Sequence, residues 1–350
     1  FIIYIRFMAI YKIFPEKDTF ISHYRPTQNF GRDEVLEISN ETELTSLHAD
    51  KTRTLIQFPT AQISDVITNK VSGSFVSYLR LFLATAYIPS DYKILAYPVS
   101  RSWEMGLGRS TDDPISTIGC TWNASAQSSS WISAGGDYLE NISSSQSFNY
   151  ISDKDVNMNV SNIVLGWNSG SFQNYGILLK QSSSIEGSNN PLITKFFSMD
   201  THTIYPPQLE FRWDDSSYST TLTQITASDF VSTISNNKTE FEENTIYKFR
   251  IKARDRFPAR SFSTVSVYLT TKALPSTTYW ALKDVKTEEI VIDFDTTYTK
   301  VSCDNTSNYF KLYMDGLEPE RYYQIIYKTV LSSGETVVID DPSNYFKIVR

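Results

Sequence analysis

Cysteine is almost absent: Cys120 and Cys303 are the only two in 350 residues. They stand far apart, and no Cys or His falls at metal-ligand spacing, so neither a disulfide framework nor a zinc site is indicated, and both are expected as reduced, buried thiols. The three histidines, His23, His48 and His202, are scattered. A Ser-His-Asp or Cys-His centre needs a base within hydrogen-bond reach of a nucleophile, and no Gly-x-Ser-x-Gly elbow accompanies them. Glycine-rich phosphate loops are lacking too. Met105-Gly-Leu-Gly-Arg109 has two glycines and an arginine but neither Walker nor dinucleotide spacing, and it reads as a turn. An excess of positive charge is missing: the net charge is −7 and the pI about 5.2, which argues against a broad phosphate-binding face, so no nucleic-acid partner is expected. No apolar run is long enough to cross a membrane, so no membrane insertion is expected. Phe1-Ile-Ile-Tyr-Ile-Arg-Phe7 is apolar but has no basic leader or small-residue cleavage site. Met8-Ala-Ile-Tyr-Lys looks like a translational start, so residues 1–7 are read either as an upstream extension or processing remnant, or as one more strand seeking an edge.

What the chain does have is aromatic and β-favouring residues, with 22 Tyr and 21 Phe separated by Ser- and Thr-rich stretches. Short alternating apolar runs recur between Gly, Pro, Asn and Asp, and no amphipathic helical pattern persists over three turns. Arg53-Thr-Leu-Ile-Gln-Phe58, Val76 to Leu83, Lys93 to Val99, Val160 to Leu165, Tyr175 to Gln181 and Pro207 to Trp213 read as strands. The stretch from Trp103 to Ser152 reads as a long decorated loop pinned by Trp122, Trp131 and Tyr138. A second set of strands follows Tyr218, including Ile246 to Lys252, Phe262 to Thr271, Glu289 to Phe294 and Tyr345 to Val349. The expected fold is all-β: an N-terminal jelly-roll or β-sandwich over residues 1–217, then one or two smaller Ig-like β-sandwiches over 218–350, with a seam near 272–276.

Few residues invite chemistry. Trp103, Glu104, Trp122 and Asn123 suit a sugar site, because an indole face stacks on a pyranose while Glu and Asn bond its hydroxyls; the same residues suit a buried aromatic corner. Glu104 with Glu140 or Asp137 is the carboxylate pairing that a glycosidase would use. Asp112-Asp113, Asp214-Asp215 and Asp340-Asp341 contain calcium-type ligands without EF-hand or RTX spacing, and Asp in a turn usually bonds its own backbone, so no metal site is assigned. Six Asn-x-Ser/Thr sequons occur, close to the number (about five) that chance supplies in such a composition, so they are given no weight. Arg250, Lys252, Arg254 and Arg256 would share one face of a strand, a stripe that suits solvent or an acidic partner better than nucleic acid.

The first half carries an ordered set of motifs: Asp18-Thr-Phe-Ile, Asn29-Phe-Gly31, Arg53 to Phe58, Leu79-Arg-Leu-Phe-Leu83, Tyr97-Pro-Val-Ser-Arg-Ser-Trp-Glu104, Gly119-Cys-Thr-Trp-Asn123 and Leu209-Glu-Phe-Arg-Trp-Asp214. This order resembles the DNRLRE-type β-sandwich, a carbohydrate-binding-module-like jelly roll of extracellular bacterial proteins and of virion proteins of large bacteriophages. The second half, with Asp315-Gly-Leu-Glu-Pro and Arg321-Tyr-Tyr-Gln-Ile-Ile-Tyr-Lys, is similar to C-terminal β-domains of cyanophage-like myovirus structural proteins. The resemblance implies a non-enzymatic tail, neck or baseplate component, assembled in the host cytoplasm without a cofactor. Its partners would be other virion proteins, copies of itself, a tail fibre or a surface glycan; a carbohydrate-binding adhesin is the alternative. Terminal strands are the expected assembly elements, through Phe1, Ile3, Ile5 and Phe7 at one end and Tyr345, Lys347 and Val349 at the other.

Overall fold

A computed structural model describes residues 9–42, 49–149, 151, 155–186, 188, 191–214, 216–257 and 270–350. It is all-β, 43% strand and 8% helix. In chain order the first strands are β1 (Ala9–Ile13), β2 (Lys17–Ser22), β3 (Val35–Thr42), β4 (Ala49–Gln57), β5 (Phe75–Leu81), β6 (Leu83–Tyr87), β7 (Tyr92–Pro98), β8 (Ala124–Ala126), β9 (Ser129–Ser130), β10 (Ser144–Phe148), β11 (Val156–Asn159), β12 (Ile177–Gln181), β13 (Leu192–Phe197) and β14 (Gln208–Trp213). They are followed by β15 (Phe230–Ile234), β16 (Glu240–Glu242), β17 (Ile246–Asp255), β18 (Thr278–Asp284), β19 (Ile290–Ile292), β20 (Ser302–Cys303), β21 (Asn308–Tyr313), β22 (Tyr322–Val330), β23 (Thr336–Ile339) and β24 (Tyr345–Val349). Two compact units result. One takes Ile13–Thr68 and Val76–Glu210; the other takes the described part of Phe1–Lys12, with Asn69–Phe75 and Phe211–Arg350.

In the first unit a large sheet runs β10-β7-β12-β4-β3-β13-β6, with β2 also paired to β4, and it curls into a half-barrel. Strand β12 explains its layering. Ile177 and Leu179 face one side and Leu178 the other, and all are buried, as expected of a strand covered on both faces. Register places Leu178 opposite Leu55 on β4 and opposite Tyr97 on β7, and Thr19 of β2 opposite Leu55. Ile21, Leu55 and Leu178 therefore make an apolar floor, and the residues from Val99 to Tyr138 cover it.

Two strand expectations change here. The run Val76 to Leu83 is not one strand: it breaks at Phe82, so that β5 pairs with β11 while β6 pairs with β13. The run Val160 to Leu165 is helical, part of α1 (Ser161–Asn168), whose Ile163, Val164 and Trp167 are buried at helical spacing. Gly166 lies flat on Phe172, where a Cβ would come within 2.2 Å of the ring.

The second unit is a β-sandwich. Its two sheets, β15-β17-β21-β20 and β16-β24-β22-β18-β19 with β23 on β22, enclose a single core. Trp280 stacks on Phe310 at 4.9 Å and Phe310 on Phe249 at 5.3 Å, so aromatic rings from both sheets fill its centre. Ile225 and Phe249 from one side of 272–276 share this core with Trp280 and Ile348 from the other. Strand β24 is flanked on both sides: Lys347 sits opposite Glu240 of β16 and opposite Tyr322 of β22. Tyr345, Lys347 and Val349 thus lie on a strand paired within its own sheet, while Phe1, Ile3, Ile5 and Phe7 lie outside the described residues.

Candidate functional site

The four residues that invite a sugar reading do come together, but as a packed corner. Trp103 and Trp122 are buried, 3% and 6% exposed, in a cluster with Ile21, Leu55, Val99, Cys120, Trp131 and Leu178. Their indole edges and faces are occupied. Trp103 Nε1 donates to the Tyr175 carbonyl at 2.8 Å, and Lys17 Nζ lies over the Trp103 ring at 4.4 Å while donating to its carbonyl at 2.6 Å. Burial lowers the Lys17 pKa from its ordinary value, against the opposing pull of Glu16. The Arg53 guanidinium sits 5.1 Å from the Trp122 ring, and His23 meets the same ring edge-on at 5.2 Å. Glu104 and Asn123 turn their side chains to solvent. Their backbones do the structural work: Glu104 N donates to the Ser125 carbonyl, and the Asn123 carbonyl accepts from Trp131 N.

Arg53 is itself clamped. Its Nε and Nη2 donate to the two oxygens of Glu186, each at 2.9 Å, and its Nη1 donates to the Gly135 carbonyl at 2.8 Å. Lys180 completes the group at 2.7 Å from Glu186. A charge-paired, multiply bonded cluster of this kind fixes the surrounding loop even where its net contribution to stability is small.

The organising residue of the corner is Asn29, an amide that no catalytic or binding pattern in the sequence marks. It is fully buried. Its Nδ2 donates to the carbonyls of Met105 and Cys120, both at 2.7 Å, and its Oδ1 accepts from Gly108 N at 2.8 Å and Gly31 N at 3.1 Å. One amide side chain thus satisfies four backbone groups. The glycines around it are there for space: a Cβ on Gly106 would lie 2.3 Å from Asn29 Oδ1, and one on Gly31 would lie 2.2 Å from the Met105 carbonyl oxygen. Asn29-Phe-Gly31, Met105-Gly-Leu-Gly-Arg109 and Gly119-Cys-Thr-Trp-Asn123 are three loop segments of one knot. Glycines at 31, 106, 108 and 119 were the signal that could have exposed it.

Other candidates resolve into turns and pairs. Asp137 accepts from the amides of Ile132 and Ser133, so it caps a turn; Glu104 and Glu140 are exposed. Asp112 accepts from Arg109 N, Asp214 from Ser216 N and Asp341 from Ser343 N, and Asp215 lies outside the described residues. Among the described residues no group of three His, Cys, Asp or Glu is placed to hold a metal. His23 and His202 are both exposed, and His48 is outside the described residues. Cys120 and Cys303 are free and buried. Burial pushes the Cys120 thiol well above its ordinary pKa, outweighing Lys17.

No protein-family model matches the chain, and no curated protein matches it.

The basic stripe is carried by β17, but it is shorter than expected. The strand ends at Asp255, so Arg256 lies past it. Lys248 and Arg250 converge on Asp304, at 3.2 Å and at 2.9 and 3.1 Å. Burial raises the Asp304 pKa, but hydrogen bonds from Arg250, from the amides of Thr306 and Ser307 and from Lys248 outweigh it and hold the carboxyl well below the usual range.

Proposed function

We propose that this chain is a non-enzymatic structural component of a bacteriophage virion, in the tail, neck or baseplate, whose sandwiches hold neighbouring subunits or a fibre. The observation that carries this reading is the inward construction of the aromatic corner. Its tryptophans are buried, their faces are covered by Lys17 and Arg53, and Asn29 ties the overlying loop down. A corner built this way favours a rigid display surface over a ligand platform, since stacking on a pyranose requires an open ring face. The order of motifs resembling DNRLRE-type sandwiches supports the virion context. The adhesin alternative requires the indoles of Trp103 and Trp122 to be reachable, and a glycan array probed with the soluble chain tests it: signal lost in Trp122→Ala would favour the adhesin. Mass spectrometry of purified particles from an infected culture tests the virion reading directly. The chain should appear at fixed stoichiometry beside the other structural proteins.

A further inference from the structure

Strand β17 is two-faced. Phe249, Ile251 and Ala253 turn into the core of the second unit, and Lys248, Arg250, Lys252 and Arg254 alternate with them on the outside. At about 6.7 Å per two residues, the four cations span about 20 Å. Strand β21 adds Lys311 opposite Lys248 and Tyr309 opposite Arg250; β15 sets Thr233 opposite Lys252 and Val231 opposite Arg254. The two ends of the stripe differ. Lys248 lies 3.4 Å from the Tyr309 ring centre and, with Arg250, is tied to Asp304. At the other end Lys252 is exposed, and Val231, opposite Arg254, is a branched apolar side chain left 37% exposed. The four β17 cations against the Asp304 carboxylate sum to +3; the chain as a whole is −7, so everything else in it sums to −10. A second copy of the chain, at a net −7, is therefore an acidic partner for this face.

We propose that the outer face of β17 docks head-to-tail against an acidic surface of a second copy of the chain, centred on β19. There Glu288, Glu289 and Asp293 are exposed around Ile290, which is also exposed; of the nearby lysines, Lys283, opposite Ile290, pairs with Asp340, and Lys286 is exposed, so acids are in excess. An apolar pair, Val231 against Ile290, ringed by opposite charges is the usual anatomy of a specific contact. Because the two surfaces differ, the contact is heterologous and propagates into a ring or a filament. This deepens the assembly reading above and rests on it.

Sedimentation velocity of the full chain tests it. In about 50 mM salt the chain should self-associate, and in about 500 mM salt, where the Debye length shrinks more than threefold, association should weaken by at least about tenfold. The double variant Lys252→Glu with Arg254→Glu should be monomeric in low salt, as should Glu289→Lys with Asp293→Lys, each with an unchanged circular dichroism spectrum. Mixed in equal amounts, the two should regain association, because the native pair of surfaces and the charge-swapped pair are both complementary. A wild-type chain that stays monomeric in low salt overturns the proposal, and so does a Lys252/Arg254 variant that still associates or a mixture that fails to pair. Capture of a single-stranded oligonucleotide by a monomeric wild-type chain would also overturn it, in favour of a polyanion. If a variant does not fold, the wild-type salt titration decides. A monomeric chain that is nonetheless present in particles would sink the self-contact and leave the virion reading standing.

Discussion

Replacing Asn29 by alanine removes two donors and an acceptor from a fully buried position, stranding the carbonyls of Met105 and Cys120 and the amides of Gly31 and Gly108. A buried polar group left without a partner costs about 1–3 kcal/mol, with carbonyls at the lower end because they tolerate under-satisfaction better than amides. Four such groups, partly relieved by water entering the space of the lost side chain, give an expected destabilisation of about 4 kcal/mol for the first unit. Urea unfolding followed by tryptophan fluorescence reads this, since Trp103, Trp122 and Trp131 all lie in the corner that Asn29 ties together. Hydrogen exchange adds the local view: the Gly31 and Gly108 amides should lose protection first. Gly106→Ala attacks the same knot from the other side, because its Cβ would meet Asn29 Oδ1 at 2.3 Å and the residue needs a φ of +80°. The two variants should therefore be non-additive. A loss below about 1 kcal/mol in Asn29→Ala, with exchange at residues 105–120 unchanged, would show that Asn29 does not hold the corner together.

Three further outcomes are expected. Asp18 is buried, and desolvation, opposed by the hydrogen bond from Met199 N, pushes its pKa up to about 7 from 3.8. The folded chain therefore keeps a proton that the unfolded chain releases, and stability falls as pH rises from about 4 to about 7, by at most about 4 kcal/mol for a shift of this size. Asp18→Asn should flatten that part of the stability profile, and parallel profiles for the two proteins would contradict the assignment. The buried thiols of Cys120 and Cys303 should resist a thiol reagent in the native chain and both react in urea; rapid native labelling would show that the corner opens. Trp280→Ala should cost about 3–5 kcal/mol in the second unit, measured by chemical denaturation, because its ring is fully buried and stacked on Phe310.

Much of the fold is written locally. Strand β7 alternates buried Tyr92, Ile94 and Ala96 with more exposed neighbours, and β17 alternates Phe249 and Ile251 with Lys248 and Arg250, so period two identifies both from sequence. Helix α1 escapes because two turns carry too little periodicity, and its Ile and Val favour strand by composition. The corner was legible as a collection of residue types, but its being closed was not. Closure depends on Lys17 and Arg53 arriving from β2 and β4, and on Asn29 reaching carbonyls 76 and 91 residues away. No local pattern encodes such distances. The same holds for β24, which reads equally well as a donated strand or an internal one until β16 is placed beside it.

The central claim, that this chain is a virion structural component, is tested most directly by imaging purified phage particles at a resolution that resolves β-sheets. Both units should appear as density at a fixed, symmetry-related position in the tail, neck or baseplate, with the chain recovered from the same particles by mass spectrometry. Particles that contain neither the density nor the chain would contradict it.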